Sequence, residues 1–344
     1  MTLGSPSQLT GGYLYHRRMA DAAAAHDVDL GFVSFPDHRF PLPALWGRRV
    51  LSQARASPVV LVDSIAAAYL APVVGRLPPF LAVVHQTFGG IDHGRGRTAV
   101  QAPLDRLLHT RAARVIAASE ALAEELAAGG VDRRRLEVVA PGCDLAVPEE
   151  DRPDLRLGHS VAFLAVGNWV ERKGILELID AFARLPPSMA TLHLVGRDDV
   201  DRTYTSRVRA RLAGGDLTGR VVVHGPLPRA RVATFMVSAD AFVLPSVREP
   251  YGTVYGEALA LGCPVVGWRA GNLPHLAEDG KEGILVPPGD VPALAAALEH
   301  LATDDALRLR LREGARARGG SLPTWEQSAG RFFGIVKQVA DGAR

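Results

Sequence analysis

Cysteine is scarce in this chain: the 344 residues contain two, Cys143 and Cys263, far apart in the sequence. That excludes a disulfide framework and a cysteine-rich zinc site, and it points to a reducing, cytoplasmic setting. Lysine is scarcer than its basic partner, three residues against 36 arginines, and 37 acidic residues leave a net charge of +2. In a chain this rich in alanine and glycine the arginine excess reads as coding bias. A charge so near neutrality excludes a dedicated nucleic-acid binder, so no nucleic-acid partner is expected. Long apolar runs are also missing. Residues 59–74 come nearest, but Asp63 and Ser64 interrupt them, which suits a strand followed by a helix rather than a membrane span. The opening MTLGSPSQLTGG has no basic stretch leading into an apolar one, so no signal peptide is expected. Nor does any strand run into Gly-x-Gly-x-x-Gly with an acidic residue some twenty positions on, which disfavours a dinucleotide-dependent dehydrogenase.

What is present is apolar material in a regular rhythm. Hydrophobic residues make up 47% of the chain, enough to exclude intrinsic disorder. Short runs of Val, Ile, Leu and Phe alternate with helical patterns throughout, the mark of βαβ units and parallel sheets. Strands are expected at 29–35, 58–62, 80–85, 113–118 and 136–140, and again at 161–166, 191–195, 220–224, 241–244, 264–268 and 283–286. Helices are expected around 15–25, 45–56, 65–74, 103–111 and 120–128. Residues 147–154 are polar, acidic and bounded by Pro148 and Pro153, and form the best linker candidate. The reading is two doubly wound α/β domains, 1–150 and 158–323, facing a cleft, with a last helix over 324–342 that can pack on either. Gly11-Gly12 leads into a helix, a place where a buried strand normally comes before, yet the preceding residues are polar and turn-rich. The first strand is therefore expected to be missing or irregular: either residues 4–9 substitute for it, or the natural chain begins upstream of Met1.

The densest chemistry follows the run 241–244. In Ser246-Val247-Arg248-Glu249-Pro250-Tyr251-Gly252-Thr253-Val254-Tyr255-Gly256-Glu257, Glu249 lies on a loop and Glu257 two turns into a helix. Between them Gly252 opens a helix N-terminus, a place suited to phosphate. By spacing alone the two glutamates are either solvated helix charges or acceptors for vicinal hydroxyls. Downstream come Gly262-Cys263-Pro264-Val265-Val266, Gly271-Asn272 and Gly283-Ile284-Leu285-Val286-Pro287-Pro288-Gly289-Asp290. Together these resemble the donor-binding core of the retaining family 4 glycosyltransferases of the GT-B fold (the glycosyltransferase group 1 type), with its Glu-x7-Glu motif followed by G-x-P-V-V and G-x-L-V-x-P-x-D. Residues 167–174, Gly-Asn-Trp-Val-Glu-Arg-Lys-Gly, resemble that family's phosphate-binding element, and Pro141-Gly142-Cys143-Asp144 its segment before the linker. The resemblance covers most of the chain and is densest over 161–290.

The resemblance implies a GT-B fold and transfer of a sugar, a hexose for preference, from a nucleotide diphosphate-sugar donor to a hydroxyl-bearing acceptor. It implies retention at the anomeric carbon, no metal and no cofactor. Lys173 and Arg172 would neutralise the diphosphate, Glu257 would hold the ribose and Glu249 the donor sugar. Tyr251, Gly252 and Thr253 would cradle sugar and phosphate, and Leu227 would lie against the base. In the first half, Gly11 and Gly12 resemble the family's glycine loop, and His85 its acceptor-side histidine, a catalytic role shared with Glu249. Taken alone, Gly-Gly is an ordinary turn and His85 a buried histidine bonded to backbone. Where the family carries arginine after the glycine this chain has Asn168, which removes one phosphate cation and leaves Arg172 to compensate. That departure, with the unusual start, also admits a nucleotide-sugar binding or regulatory protein with impaired catalysis. A GT-B epimerase that works without an acceptor is a further alternative. Residues 89–97 read as a long loop, either an acceptor lid or a plain connection. Arg95, Arg97, Arg106, Arg111 and Arg114 make either a solvated face or a surface for peripheral contact with acidic lipid, the solvated face being favoured.

Overall fold

The computed structural model describes residues 1–4, 11–54, 57–91, 93–148 and 152–342. The chain divides into two compact units, one of Met1–Gly142 with Pro323–Arg344, the other of Cys143–Leu322. The acidic, proline-bounded stretch read as a linker thus begins inside the second unit, and its residues 149–151 lie outside the described ones. Among the described residues, no helix is long and apolar enough to cross a membrane.

In the first unit β1 (Thr2–Leu3) pairs in parallel with β2 (Ser34–Phe35). β3 (Val60–Asp63), β4 (Phe80–Val84), β5 (Arg114–Ala117) and β6 (Leu136–Val138) follow in that order, all parallel. Two backbone bonds join Met1, the residue before β1, to β3: Met1 N donates to Leu61 O and Asp63 N to Met1 O. A first strand is therefore present, against expectation, and it lies at Thr2–Leu3 rather than at 4–9, of which 5–9 lie outside the described residues. Two residues carry no periodicity, so sequence pattern had nothing to register. The same shortness explains β2. The ladder opposite β1 reaches only Ser34 and Phe35, and the expected strand at 29–35 shrinks to those two residues.

The helix expected at 103–111 starts earlier, spanning Arg95–His109 behind an extended Gly94, with Pro103 in its interior. This shortens the loop read at 89–97, whose Asp92 lies outside the described residues. Two arginines of the basic cluster stack on rings, Arg97 over Phe40 and Arg106 over Phe88. The last helix, Trp325–Gly342, belongs to the first unit. It opens on a reciprocal cap, Thr324 N donating to Gln327 Oε1 (3.0 Å) and Gln327 N to Thr324 Oγ1 (3.2 Å). Trp325, Ala329, Phe332, Phe333 and Val336 repeat at helical spacing and bury against Tyr15 and Met19 of the helix Gly11–Ala22.

The second unit is one six-stranded parallel sheet. Its strands are β7 (Val161–Val166), β8 (Ala190–Val195), β9 (Val221–Gly225), β10 (Ala241–Val243), β11 (Val265–Trp268) and β12 (Gly283–Val286), in the order β12-β11-β10-β7-β8-β9. β8, β10 and β11 are buried from end to end and β7 up to Val166, as continuous apolar strands are when helices cover both faces. The helix Ile175–Phe182 supplies one such cover with Ile175, Leu178, Ile179 and Phe182 on its buried stripe. The strand order reverses between β7 and β10. Loops leaving the carboxyl ends of these two strands diverge from a switch point, where doubly wound sheets hold their ligands.

Candidate functional site

Residues 167–173 leave β7, and Ser246 to Gly252 leave β10, so both motifs sit at that switch point. Their side chains meet. Glu249 Oε1 lies 2.5 Å from Lys173 Nζ and 2.9 Å from Arg172 Nη1. Ser246 Oγ stands 3.0 Å from the same carboxylate oxygen and 2.9 Å from Arg172 O, while Val247 N donates to Arg172 O. The two loops are thereby clipped together through backbone as well as charge. Glu249 is buried, and burial by itself would raise its pKa. The charges of Lys173 and Arg172, with hydrogen bonds from Lys173 and Ser246, outweigh that and hold the carboxyl below its ordinary value. Asn168 stands apart from this cluster, its Oδ1 accepting from Arg197 N at 3.3 Å. Arg172 is thus the second cation beside Lys173.

The glutamate loop is held from its far side. Asn272 N donates to Glu249 O and Asn272 Nδ2 to Tyr251 O, at 2.9 and 3.0 Å. Gly271 has φ +57°, and a Cβ there would meet Glu249 N and O at 2.8 Å, so only glycine allows this approach. Gly252, with φ +73°, turns the chain into the helix Thr253–Ala260, and Tyr255 OH donates to Leu244 O to fix that helix on the end of β10. Glu257, buried on the same helix, pairs with Arg229. Burial raises its pKa although Arg229 opposes the shift. Leu227 is half-buried two residues before Arg229, packed on the core of this unit. Ser246, Arg229 and Asn272 were not assigned roles from sequence. For Asn272 the signal was its place after Gly271 in a motif; for the other two none was visible.

In the first unit Gly11 and Gly12 open the helix Gly11–Ala22, and a Cβ on Gly12 would stand 3.6 Å from the His85 ring. His85 follows β4 directly. Its ring meets those of Tyr15 and His16 edge-on, each with a centroid separation of 4.9 Å. Burial, then the neighbouring His16, pushes the His85 pKa down to about 3 against the opposing pull of Asp63, so the imidazole is neutral at physiological pH. Asp63, at the end of β3, lies 2.9 Å from His16 Nε2 and accepts from Thr2 Oγ1 at 2.8 Å. His16 and Asp63 were not singled out from sequence as site residues.

The segment after His85 is tethered through Asp105, whose Oδ2 accepts from Gly89 N (2.9 Å) and Gln101 Nε2 (3.3 Å). Burial raises the Asp105 pKa to about 6 despite these donors. Because the folded value exceeds the unfolded one, its stabilising contribution is fully present below pH 3.8 and fades as pH rises through 6. The stability of the wild type relative to Asp105→Asn should therefore increase by about 1 kcal/mol as pH falls from 7 to 5. Urea melts of both proteins at the two pH values measure it, and a constant difference would contradict the burial argument.

Known proteins carry the same pattern. Residues 13–147 match the family model described as Glycosyltransferase Family 4, and residues 160–304 that described as Glycosyl transferases group 1. A D-inositol 3-phosphate glycosyltransferase of Xylanimonas cellulosilytica is 34% identical over 245 residues, covering 65% of this chain and 58% of the relative. The lipopolysaccharide core biosynthesis glycosyltransferase LpsE of Rhizobium meliloti is 37% identical over 150 residues, 44% of this chain and 42% of the relative. The chain spans about half the length of the curated relatives it matches. Among solved structures, a sucrose-phosphate synthase from Thermosynechococcus elongatus superposes with TM-score 0.83 at 22% identity, over 99% of both chains. Anabaena HepE in complex with UDP and glucose superposes with TM-score 0.80 at 21% identity, over 98% of both. These neighbours share the GT-B fold. With two family models laid end to end over most of its length, the chain belongs to the group 1, family 4 glycosyltransferases.

Proposed function

We propose that this protein transfers a sugar, a hexose for preference, from a nucleotide diphosphate-sugar to a hydroxyl acceptor, with retention at the anomeric carbon, without a metal, and in the cytoplasm. The observation that carries the reading is the convergence of Lys173 and Arg172 on one buried oxygen of Glu249 at the β7–β10 switch point. Two cations gathered around a single anion, beside the helix N-terminus at Thr253, form a place prepared for a diphosphate. Breaking the glycosidic bond leaves negative charge on that diphosphate, so groups fixed in advance around it stabilise the transition state more than the ground state.

On donor binding the cations exchange the Glu249 carboxylate for phosphate oxygens, which frees Glu249 to accept hydrogen bonds from the sugar hydroxyls. The backbone of Tyr251, Gly252 and Thr253 lines the same turn. Glu257 takes the ribose hydroxyls, exchanging its Arg229 partner, and Leu227 lies along the base. His85, neutral and backed by Gly12, serves the acceptor side, as Glu249 serves the donor sugar. Among the described residues no second carboxylate joins Glu249 in the Lys173–Arg172 cluster, which supports attack from the face the diphosphate leaves, with a diphosphate oxygen taking the acceptor proton.

Incubation with nucleotide-sugars and a panel of alcohol acceptors tests this. Expected are a glycoside with the donor's anomeric configuration by NMR and rates that a chelator does not lower. Loss of activity on chelation, restored by Mn²⁺, would overturn the metal-free part. Donor conversion in the absence of any acceptor would indicate an epimerase. A second reading, a nucleotide-sugar binding protein with impaired catalysis, draws on Asn168 in the place of an arginine. Tight nucleotide binding without turnover on any acceptor would mark that outcome.

A further inference from the structure

Three side chains that spacing would never group together meet in the first unit. Asp63 closes β3, His85 follows β4, and His16 projects from the helix Gly11–Ala22. One ligand atom from each lies within 4.8 Å of the others. We propose that His16, Asp63 and His85 form a binding site for one divalent transition-metal ion of the zinc class, held by two imidazole nitrogens and a carboxylate oxygen.

The polar atoms themselves carry the argument. His85 Nε2 is buried and has no hydrogen-bond partner among the described residues. His16 Nε2 is likewise buried; it lies 2.9 Å from Asp63 Oδ2 but out of alignment for a hydrogen bond. A buried nitrogen left unsatisfied is costly, and a metal that accepts both lone pairs removes that cost. The donor set selects the ion. Two neutral imidazoles and one carboxylate suit Zn²⁺, Co²⁺ or Ni²⁺, whereas Mg²⁺ and Ca²⁺ prefer oxygen throughout. Four-coordinate zinc at about 2.0–2.1 Å sets neighbouring ligand atoms roughly 3.3 Å apart, so modest rotation of the two rings completes the triad. The outer layer is in place: Thr2 Oγ1 donates to Asp63 Oδ2, while Ile65 N and Ser64 Oγ donate to Oδ1, at 3.2 and 3.3 Å. A cavity of about 610 Å³ has His16 and Asp63 in its wall, giving an ion a route in and leaving room for water as a fourth ligand.

The ion takes no part in the transfer proposed above. It occupies the nitrogen that His85 would offer the acceptor side, so it acts as an inhibitory regulator.

The test uses the whole, untagged chain, stripped with chelator and titrated with Co²⁺ and Zn²⁺. One equivalent should bind, with the visible absorption of a four-coordinate nitrogen and oxygen site. The thiolate charge-transfer band that would implicate Cys143 or Cys263 should be missing. His16→Gln and His85→Gln, checked for folding by circular dichroism, should each weaken Co²⁺ binding at least tenfold. Failure to bind one equivalent, a thiolate band, or affinity unchanged in both variants would overturn the site. If His85→Gln does not fold, His16→Gln decides the matter. No sugar enters the measurement, so its result is independent of whether transfer occurs.

Discussion

Replacing Lys173 by alanine is expected to lower kcat for sugar transfer by about 10²–10³-fold, with a smaller rise in KM for the donor. Lys173 Nζ lies 2.5 Å from Glu249, and its side chain is 11% exposed, so its charge acts where water screens it little. A fixed cation at a leaving diphosphate matters most when the bond is breaking, which places the loss in kcat. The fold should survive, because Arg172 and Ser246 still partner Glu249. Glu249→Ala should also cut transfer severely while leaving the two cations mutually repelling at a vacant carboxylate position. Near-normal turnover in either variant, measured by initial rates on purified folded protein, would remove the assignment of this cluster.

The largest expected effect on stability belongs to Asp63→Ala, a loss of about 3–5 kcal/mol in urea unfolding. Asp63 is 3% exposed and holds four groups: His16, Thr2, Ser64 and the Ile65 amide. Burial would raise its pKa, but the charge of His16, the charge that His85 takes up in acid and the Ile65 amide together drive it well below the usual carboxylate value. A depressed folded pKa means that this contribution is present above about pH 3.8 and is lost as pH falls below it. The gap between wild type and variant should therefore narrow in acid. A variant within 1 kcal/mol of the wild type at pH 7 would show that the carboxylate does not hold β1 and β3 together.

Legibility from sequence followed burial. In the second unit the expected strands at 161–166 and 283–286 coincide with β7 and β12, and the others differ by a residue or so at an end. Strands covered on both faces leave uninterrupted apolar runs, and the turns between them carry glycine at fixed places. The first unit was harder. β1 is two residues long, β2 shrinks with it, and the helix Arg95–His109 runs through a proline that looked like its start. Asp63 is instructive here. It was visible as the charge interrupting an apolar run, yet nothing in the spacing revealed that His16 and His85 share its surroundings, because three separate elements must fold before they meet. Arg229 on Glu257 escaped for the same reason, since the two sit on different helices.

A diphosphate site built by Arg172, Lys173 and Glu249 should reveal itself in nucleotide binding. Thermal shifts of the wild type and of Lys173→Ala should be recorded with UDP, GDP, ADP and dTDP over a range of concentrations. At a ligand concentration of about 100 Kd the linkage gives about 2.7 kcal/mol of stabilisation. At least one of the four should therefore raise the wild-type melting temperature in a concentration-dependent way, and the shift should be largely lost in Lys173→Ala. No shift with any of the four, or the same shift in both proteins, would contradict the account.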